Sequence, residues 1–393
     1  GSLGKGFSDV SQCCYLLHPE LLIPDLLVVG AGLAGGLLAL EAADSGAKVC
    51  IISTAPMATP ISYGGVQLAA IEQWQRLEKR HGFLGLEPAE LLLYWLEDQK
   101  PNIPPGAQRL APSQWRGLEP LLVDAPLGGV VAMPYARVDP LVLTEKLTKA
   151  LAAAGVQQRN LLLQGLLLEE GVVRGCKTKA GEEILAQHTV LAAGAATAPL
   201  LASIGCSLPL LDCSWAALLQ LEAGLLDDFF CGEASDQPKA IVMPMELKRM
   251  ERERSTSGAQ LVCDGGIAPW GNAKVFGQAS FFGESIGQID KPNPAVMRAG
   301  LIEAAKSLLP QQLWPSLAEL PMALQPVAFS RDGLALVGPI SRFKGLSVFT
   351  AFSAAFSLVP GLAPVLAAAI LDPKRSMEAL SNLELLPERL PAI

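Results

Sequence analysis

Apolar positions along this chain come in two textures. Leu26-Leu27-Val28-Val29 and Lys48-Val49-Cys50-Ile51-Ile52 are short, nearly unbroken apolar runs, the pattern of parallel strands buried on both faces. The stretch between them, uncharged from Leu33 to Leu40 and closed by Asp44-Ser45-Gly46, predicts a helix, giving strand–helix–strand. Residues 68–100 carry Trp74, Leu77, Leu91, Leu92, Trp95 and Leu96 at helical spacing and predict helix, with the aromatics in the core. Pro101 to Pro126 is proline-rich and reads as an irregular connection. After Val138-Asp139-Pro140 comes a helix through Leu151 and a turn at Gly155, then strands at 161–168, 172–177 and 184–185, a small meander. Val190 to Ala195 is an apolar strand ending in small residues at Ala193 and Gly194. Residues 213–324 have the second texture, alternating polar and apolar positions. Within them the mixed-charge run Glu246 to Arg254 reads as a solvated hairpin or loop, or alternatively a docking patch.

The stretch Leu346 to Leu371 holds no charged residue. Pro360, Gly361 and Pro364 argue against a membrane span, because proline inside a helix costs about 3 kcal/mol. The expectation is a strand, a tight loop and a buried helix over Val365 to Leu371.

The turn between the first strand and helix carries chemistry. Gly30-Ala31-Gly32-Leu33-Ala34-Gly35 is G-x-G-x-x-G placed where a strand enters a helix, the setting of a dinucleotide-binding unit. Gly30 makes the tight turn, Gly32 admits a pyrophosphate, and Gly35 lets helix and strand pack closely; the pyrophosphate sits on the helix N-terminus. The acidic residue usual at the second strand tip is missing: Ser53-Thr54 stand there, and no carboxylate occurs between Asp44 and Glu72. No arginine lies in that interval either, which argues against NADP. The loop Tyr63-Gly64-Gly65 could lie against a planar ligand or be an ordinary glycine turn.

Composition narrows the classes. A chain of 393 residues, half of them hydrophobic and 17% charged, can bury a large core in two interleaved domains. A net charge of −8 gives no support for nucleic-acid binding, which calls for a basic face. Eight cysteines without C-x-x-C, and histidines only at 18, 81 and 188, signal neither a metal site nor a redox dithiol, and suggest a reduced, cytoplasmic compartment. Residues 1–24 match no signal-peptide pattern and look like a short N-terminal extension.

The glycine motif, the Val138-Asp139-Pro140 block with its meander and Val190-Leu191-Ala192-Ala193-Gly194, and Asp332-Gly333-Leu334-Ala335-Leu336-Val337-Gly338-Pro339 occur in one order. In that order the chain resembles FAD-dependent amino acid oxidases of the D-amino acid oxidase and glycine oxidase type, over about residues 25 to 372. The resemblance implies an α/β fold. A discontinuous Rossmann-like FAD-binding domain (25–80, 136–212, 325–393) would carry an α+β substrate domain (81–135, 213–324) whose mostly antiparallel sheet roofs the flavin. It implies non-covalent FAD held by Gly30 to Gly35, Ser53, Thr54, Gly64, Gly65, Ala193, Gly194, Gly333, Ser357 and Leu358, and oxidation of a C–N bond in a small amine or amino acid.

The chain departs from that pattern where chemistry is expected. The substrate-gripping arginine before the last block is Gln325, leaving Arg331 as the candidate catalytic cation, with Arg298 and Tyr63 as further pocket candidates. The glycine-rich turn after the last strand reads Ala351-Phe352-Ser353-Ala354-Ala355-Phe356-Ser357. Two alternatives therefore stand beside the enzyme: a flavoprotein-derived binding or assembly factor without turnover, with a peripheral membrane or protein partner at the apolar 346–371 region, and a nicotinamide-dependent dehydrogenase.

Overall fold

A computed structural model describes residues 23–53, 57–122, 127–229, 239–255, 258–283 and 290–389. The expectations for residues 1–22 and for Thr54 lie outside the described residues. The first half of the chain runs β1 (Leu26–Val29), α1 (Leu33–Asp44), β2 (Val49–Ser53), β3 (Gly65–Val66), α2 (Ile71–His81), β4 (Leu86–Leu96), β5 (Gln108–Leu110), α3 (Pro112–Leu118), β6 (Leu127–Val138), α4 (Pro140–Ala153), β7 (Gln157–Asn160), β8 (Leu163–Glu169), β9 (Val172–Thr178), β10 (Glu183–Leu185), β11 (His188–Leu191) and α5 (Thr197–Ala202). The second runs β12 (Leu211–Leu221), α6 (Ala223–Leu226), β13 (Ala240–Pro244), α7 (Lys248–Glu253), β14 (Gln260–Trp270), β15 (Ala273–Phe282), α8 (Pro294–Lys306), β16 (Met322–Ser330), β17 (Leu336–Pro339), β18 (Leu346–Thr350), α9 (Ala355–Leu371) and α10 (Pro373–Ser381).

A six-stranded sheet in the order β17-β18-β11-β1-β2-β7 is parallel except for β17. Its central strand β1 is buried on both faces, as its unbroken apolar run predicts. Each of those side chains contributes roughly 1.5–3 kcal/mol by leaving water. One face packs on α1, α4 and α9 through Leu26, Val28, Leu37, Leu147 and Leu366; the other packs on the β8–β10 meander through Leu27, Val29, Val173 and Cys176. Asp139 begins α4 as the sequence block implied. Its Oδ1 accepts from the N–H groups of Leu141 and Val142 at 2.9 and 3.2 Å, and Pro140 sits in the first turn.

The second sheet has nine strands, β16-β12-β15-β14-β13-β4-β6-β3 with β5 beside β6, mixed and mostly antiparallel. Its outer face carries α8 over Leu92, Leu219, Ile267 and Phe276. Its inner face, with Leu91, Leu218, Ile241, Ala268 and Val275, meets Ile61 and Tyr63 from the loop that follows β2.

Four expectations are corrected. Helix over 68–100 holds only to His81. Gly82 and Gly85, at φ +81° and +109°, end it, and β4 follows. The apolar residues of β4 serve both sheet faces, so their spacing imitates a helix. The irregular 101–126 stretch contains β5 and α3. The charge run folds as the short helix α7, with Glu253 buried and paired to Arg249 at 3.0 Å. The last apolar helix begins at Ala355, with both prolines inside. Pro360 has no N–H for the carbonyl of Phe356, and the Trp74 indole supplies that partner instead, Nε1 donating at 2.7 Å. Among the described residues no helix is long and apolar enough to cross a membrane.

Candidate functional site

The strand β1 has β2 on one side and β11 on the other, so consecutive connections leave it in opposite directions at its C-terminal end. Such a switch point opens a crevice for ligands. The motif glycines sit there. Gly30 has φ +110°, and a Cβ on it would lie 2.2 Å from the carbonyl oxygen of Ala192, against Ala193 at the exit of β11. A Cβ on Gly35 would lie 1.8 Å from the carbonyl oxygen of Gly30. The turn and the close helix packing thus each require glycine. Gly32 faces Thr59, whose Oγ1 accepts from the Leu33 N–H at 3.0 Å. Sequence reading passed over Thr59, because its loop has no periodicity; its position between a strand tip and Gly64-Gly65 was the available signal. Among the described residues no side chain caps Ala34 or Gly35, so their N–H groups remain for an anion at the helix N-terminus.

Beside Gly32 opens a cavity of about 260 Å³, lined by Ser53, Met57, Thr59, Leu143, Leu147, Leu151, Gln158, Arg159 and Asn160. Ser53 and Asn160 are register partners at the tips of β2 and β7. Arg159 brings a cation to this rim that the sequence interval alone did not reveal. Glu182 engages it with two contacts of 2.8 and 3.0 Å.

The loop from Thr59 to Val66 joins this crevice to the inner face of the large sheet. Gly64 has φ +72° and its Cβ would meet the Val138 carbonyl at 2.1 Å, while a Cβ on Gly65 would lie 2.9 Å from the Tyr135 ring. Both glycines therefore pack tightly on β6. Tyr63 is partly buried, and its hydroxyl donates to the Gly277 carbonyl at 2.5 Å. Gly266 and Gly277 are register partners, and a Cβ on Gly266 would lie 2.9 Å from the phenolic oxygen. Gly266 thus makes room for the phenol, while glycine at 277 makes room for the Leu218 side chain, 2.4 Å from where a Cβ would sit. Burial pushes the Tyr63 phenol far above its ordinary pKa, so it stays neutral. Trp270 Nε1 donates to the Pro60 carbonyl at 2.7 Å and fastens the same loop.

Gln325 lies on β16 opposite Ala216, two residues from the Ala323–Leu218 pair, and by strand alternation shares the inner face with Leu218. Arg331 follows the end of β16, half-buried, with its N–H donating to the Leu210 carbonyl at 2.9 Å. Arg298 is corrected as a pocket candidate: it lies on α8 in the outer layer and donates to the carbonyls of Ala318 and Leu320 at 3.1 and 2.7 Å. Gly333, at φ +79°, lies under the Arg254 guanidinium. At the end of β18, Ala351 takes φ +62°, a conformation that favours glycine, and Phe352 packs edge-on against Phe349. Phe356 stacks on Trp74, the Ser357 hydroxyl accepts from the Gln67 N–H at 2.9 Å, and Leu358 is exposed. Gly194 opens a short turn after β11 at φ +54°.

These residues fit the adenosine and pyrophosphate end of FAD: a glycine cradle that no Cβ would allow, free N–H groups at a helix start, and a cavity alongside. Gly30 to Gly35 would hold the pyrophosphate and the cavity the adenosine.

Solved structures share the fold. Glycine oxidase from Bacillus cereus ATCC 14579 superposes with a TM-score of 0.66 at 17% identity, over 94% of this chain and 100% of that one. NikD, described as an unusual amino acid oxidase essential for nikkomycin biosynthesis, gives 0.67 at 14%, over 94% and 99%. Iminodiacetate oxidase from Chelativorans sp. BNC1 gives 0.61 at 20%, over 93% and 100%. No curated protein sequence matches the chain. The family model described as FAD dependent oxidoreductase matches residues 25–369, and the chain belongs to that family.

Proposed function

We propose that this chain oxidises a C–N bond of a small amine or amino acid, as the names of its structural neighbours suggest for those proteins. The observation that carries the reading is the glycine turn at the switch point of the six-stranded sheet, beneath a large sheet whose apolar inner face meets the same loop. Bound FAD supplies the acceptor for the hydride leaving the carbon that bears the amine; the resulting imine then takes up water. The chain's part is to bind, orient and exclude water. Leu91, Leu218, Ile241, Ala268 and Val275 make a dry wall, and the Tyr63 hydroxyl and Gln325 amide offer it neutral polar groups. With Gln325 where an arginine grips carboxylates, this wall suits an amine with an apolar body and no free carboxylate. The buried free cysteines accord with a reduced cytoplasmic setting.

The test is a visible spectrum of the protein with FAD, followed by anaerobic addition of a panel of amines and amino acids. Bleaching by apolar amines ahead of free amino acids is the expected result. Flavin bands that no compound bleaches would replace this reading with that of a binding or assembly factor.

A further inference from the structure

We infer that the turn between β16 and β17 carries an anion-binding site, in which the guanidinium groups of Arg254 and Arg331 grip one oxyanion, the carboxylate or phosphate of a small ligand. The inference goes beyond the catalytic reading and does not depend on turnover of the flavin. It begins with the arginines as a set. Among the described residues every arginine except these two is engaged; Arg137, Arg159 and Arg249 hold carboxylates, Arg298 and Arg342 hold backbone carbonyls, and Arg109 lies over the Trp95 ring. The two without a partner stand at the same turn. Ser330 to Gly333 form it, with the Gly333 N–H donating to the Ser330 carbonyl at 2.9 Å. Arg331 is its second residue and is half-buried. Gly333 presents no side chain, so the Arg254 guanidinium lies over it, with Nη2 3.3 Å and Nε 3.6 Å from where a Cβ would sit. The ends of such a turn lie within about 7 Å of each other, so one ligand is in reach of both groups.

The chain neutralises neither charge. Asp332, inside the turn, is taken by Arg389, whose Nε and Nη2 donate to Oδ2 and Oδ1 at 2.8 and 2.9 Å; Ser330 Oγ and the Leu334 N–H add 2.7 and 3.0 Å contacts to Oδ1. Glu253, beside Arg254, is buried and turned to Arg249. Two positive charges therefore stay together on a chain whose net charge is −8. Their supports are fixed. The Arg389 contacts hold the turn, and Arg252 holds the end of α7 by donating to the carbonyls of Ser255 and Gly258 at 3.1 and 2.6 Å while lying over the Phe282 ring. A guanidinium is a planar fork of donors that matches the oxygens of a carboxylate or phosphate, and a charge withdrawn from water is costly without a partner. An oxyanion supplies Arg331 with the partner that its half-buried position is denied within the chain.

The experiment is calorimetric titration of the full chain with inorganic phosphate and with succinate at low ionic strength, where screening is weakest. Saturable binding of at least one of them is expected, and the tighter of the two tells whether a phosphate or a carboxylate is the natural head group. Arg254→Gln and Arg331→Gln should each weaken it roughly 10-fold, and the double variant should abolish it. Asp332→Asn removes the negative charge of the turn and should tighten binding, a gain that misfolding cannot produce. Lys306→Gln removes the same charge from the exposed side of α8 and should change nothing. Absence of saturable binding, affinity that survives the double variant, or an equal loss on Lys306→Gln would overturn the inference. Because no readout requires the flavin to be reduced, a protein that oxidises no amine but binds phosphate through Arg254 and Arg331 would sink the catalytic reading and uphold the site. Amine oxidation without anion binding would do the reverse.

Discussion

The strand-tip crevice and the inner face of the large sheet are joined by one loop, since Thr59 reaches Leu33 while Pro60 and Tyr63 reach Trp270 and Gly277. Backbone makes the crevice: positive-φ glycine, close carbonyl contacts and a helix N-terminus, with side chains only at the rim. The inner face is made of side chains from strands far apart in sequence, in a sheet that draws on residues 65 to 330. A backbone site tolerates no substitution at its glycines but is indifferent to most neighbours. A side-chain site can hold Gln325 where the family resemblance led one to expect an arginine, and still fold. This contrast accounts for a chain that keeps the backbone-built glycine turn while side-chain positions depart from the expected pattern, Ser53 at the crevice rim as well as Gln325 on the inner face.

The sharpest way to break the comparison is at Gly35. Gly35→Val must displace either α1 or the Gly30 carbonyl, because even a Cβ would lie 1.8 Å from that oxygen. A cost above about 4 kcal/mol, with loss of FAD retention, is expected in denaturant unfolding. A folded Gly35→Val protein that binds FAD normally would show that the crevice does not depend on close packing.

On the large sheet the corresponding stress point is polar. Lys274 Nζ lies 2.7 Å from Glu119 Oε2, with both side chains essentially unexposed. Lys274→Met leaves a buried carboxylate with its cation removed and should cost about 3–5 kcal/mol, whereas Lys274→Met with Glu119→Leu should regain most of it. If the double variant is as unstable as the single, the pair matters for more than charge compensation. Neither partner was legible in the sequence, since Glu119 lay in a stretch read as irregular connection.

A third measurement returns to the six-stranded sheet. His188 Nε2 lies 2.9 Å from Ser347 Oγ at the start of β11, and burial lowers its pKa from 6.5 to about 4. The unfolded chain therefore takes up the proton first. Stability from this group is complete above about pH 6.5 and declines as pH falls toward 4, by about 3 kcal/mol in all. His188→Asn should flatten that part of the stability curve, and an unchanged acid limb would show that His188 is protonated in the fold.

The unequal legibility of the two regions follows from their construction. G-x-G-x-x-G after an apolar strand specifies a turn by local sterics, so the first strand–helix–strand unit could be read from residues 26–53 alone. Val138-Asp139-Pro140 marked a helix start for the same local reason. The residues 86–96 could not be read this way. A strand buried on both faces loses its alternation, and Leu91, Leu92, Trp95 and Leu96 then mimic a helix. The helix from Ala355 was hidden by Pro360, whose cost is relieved by an indole 282 positions away from Phe356. Tyr63 was visible only as one candidate among three. Its place over Gly266 and Gly277 depends on a register between β14 and β15 that no local pattern encodes.

Ala351 is where the two constructions meet, and it carries the smallest effect. It ends β18 at φ +62°, a conformation that costs a residue with a Cβ roughly 1–2 kcal/mol. Glycine there removes the strain but gives the unfolded chain about 0.5–1 kcal/mol more entropy to lose. Ala351→Gly should therefore stabilise the protein by only about 0.5 kcal/mol. If it does, the alanine is tolerated strain at the turn that follows β18. If Ala351→Gly destabilises, its Cβ, buried beside Val348 and Leu336, supplies packing that the turn needs, and side-chain construction extends into the crevice itself.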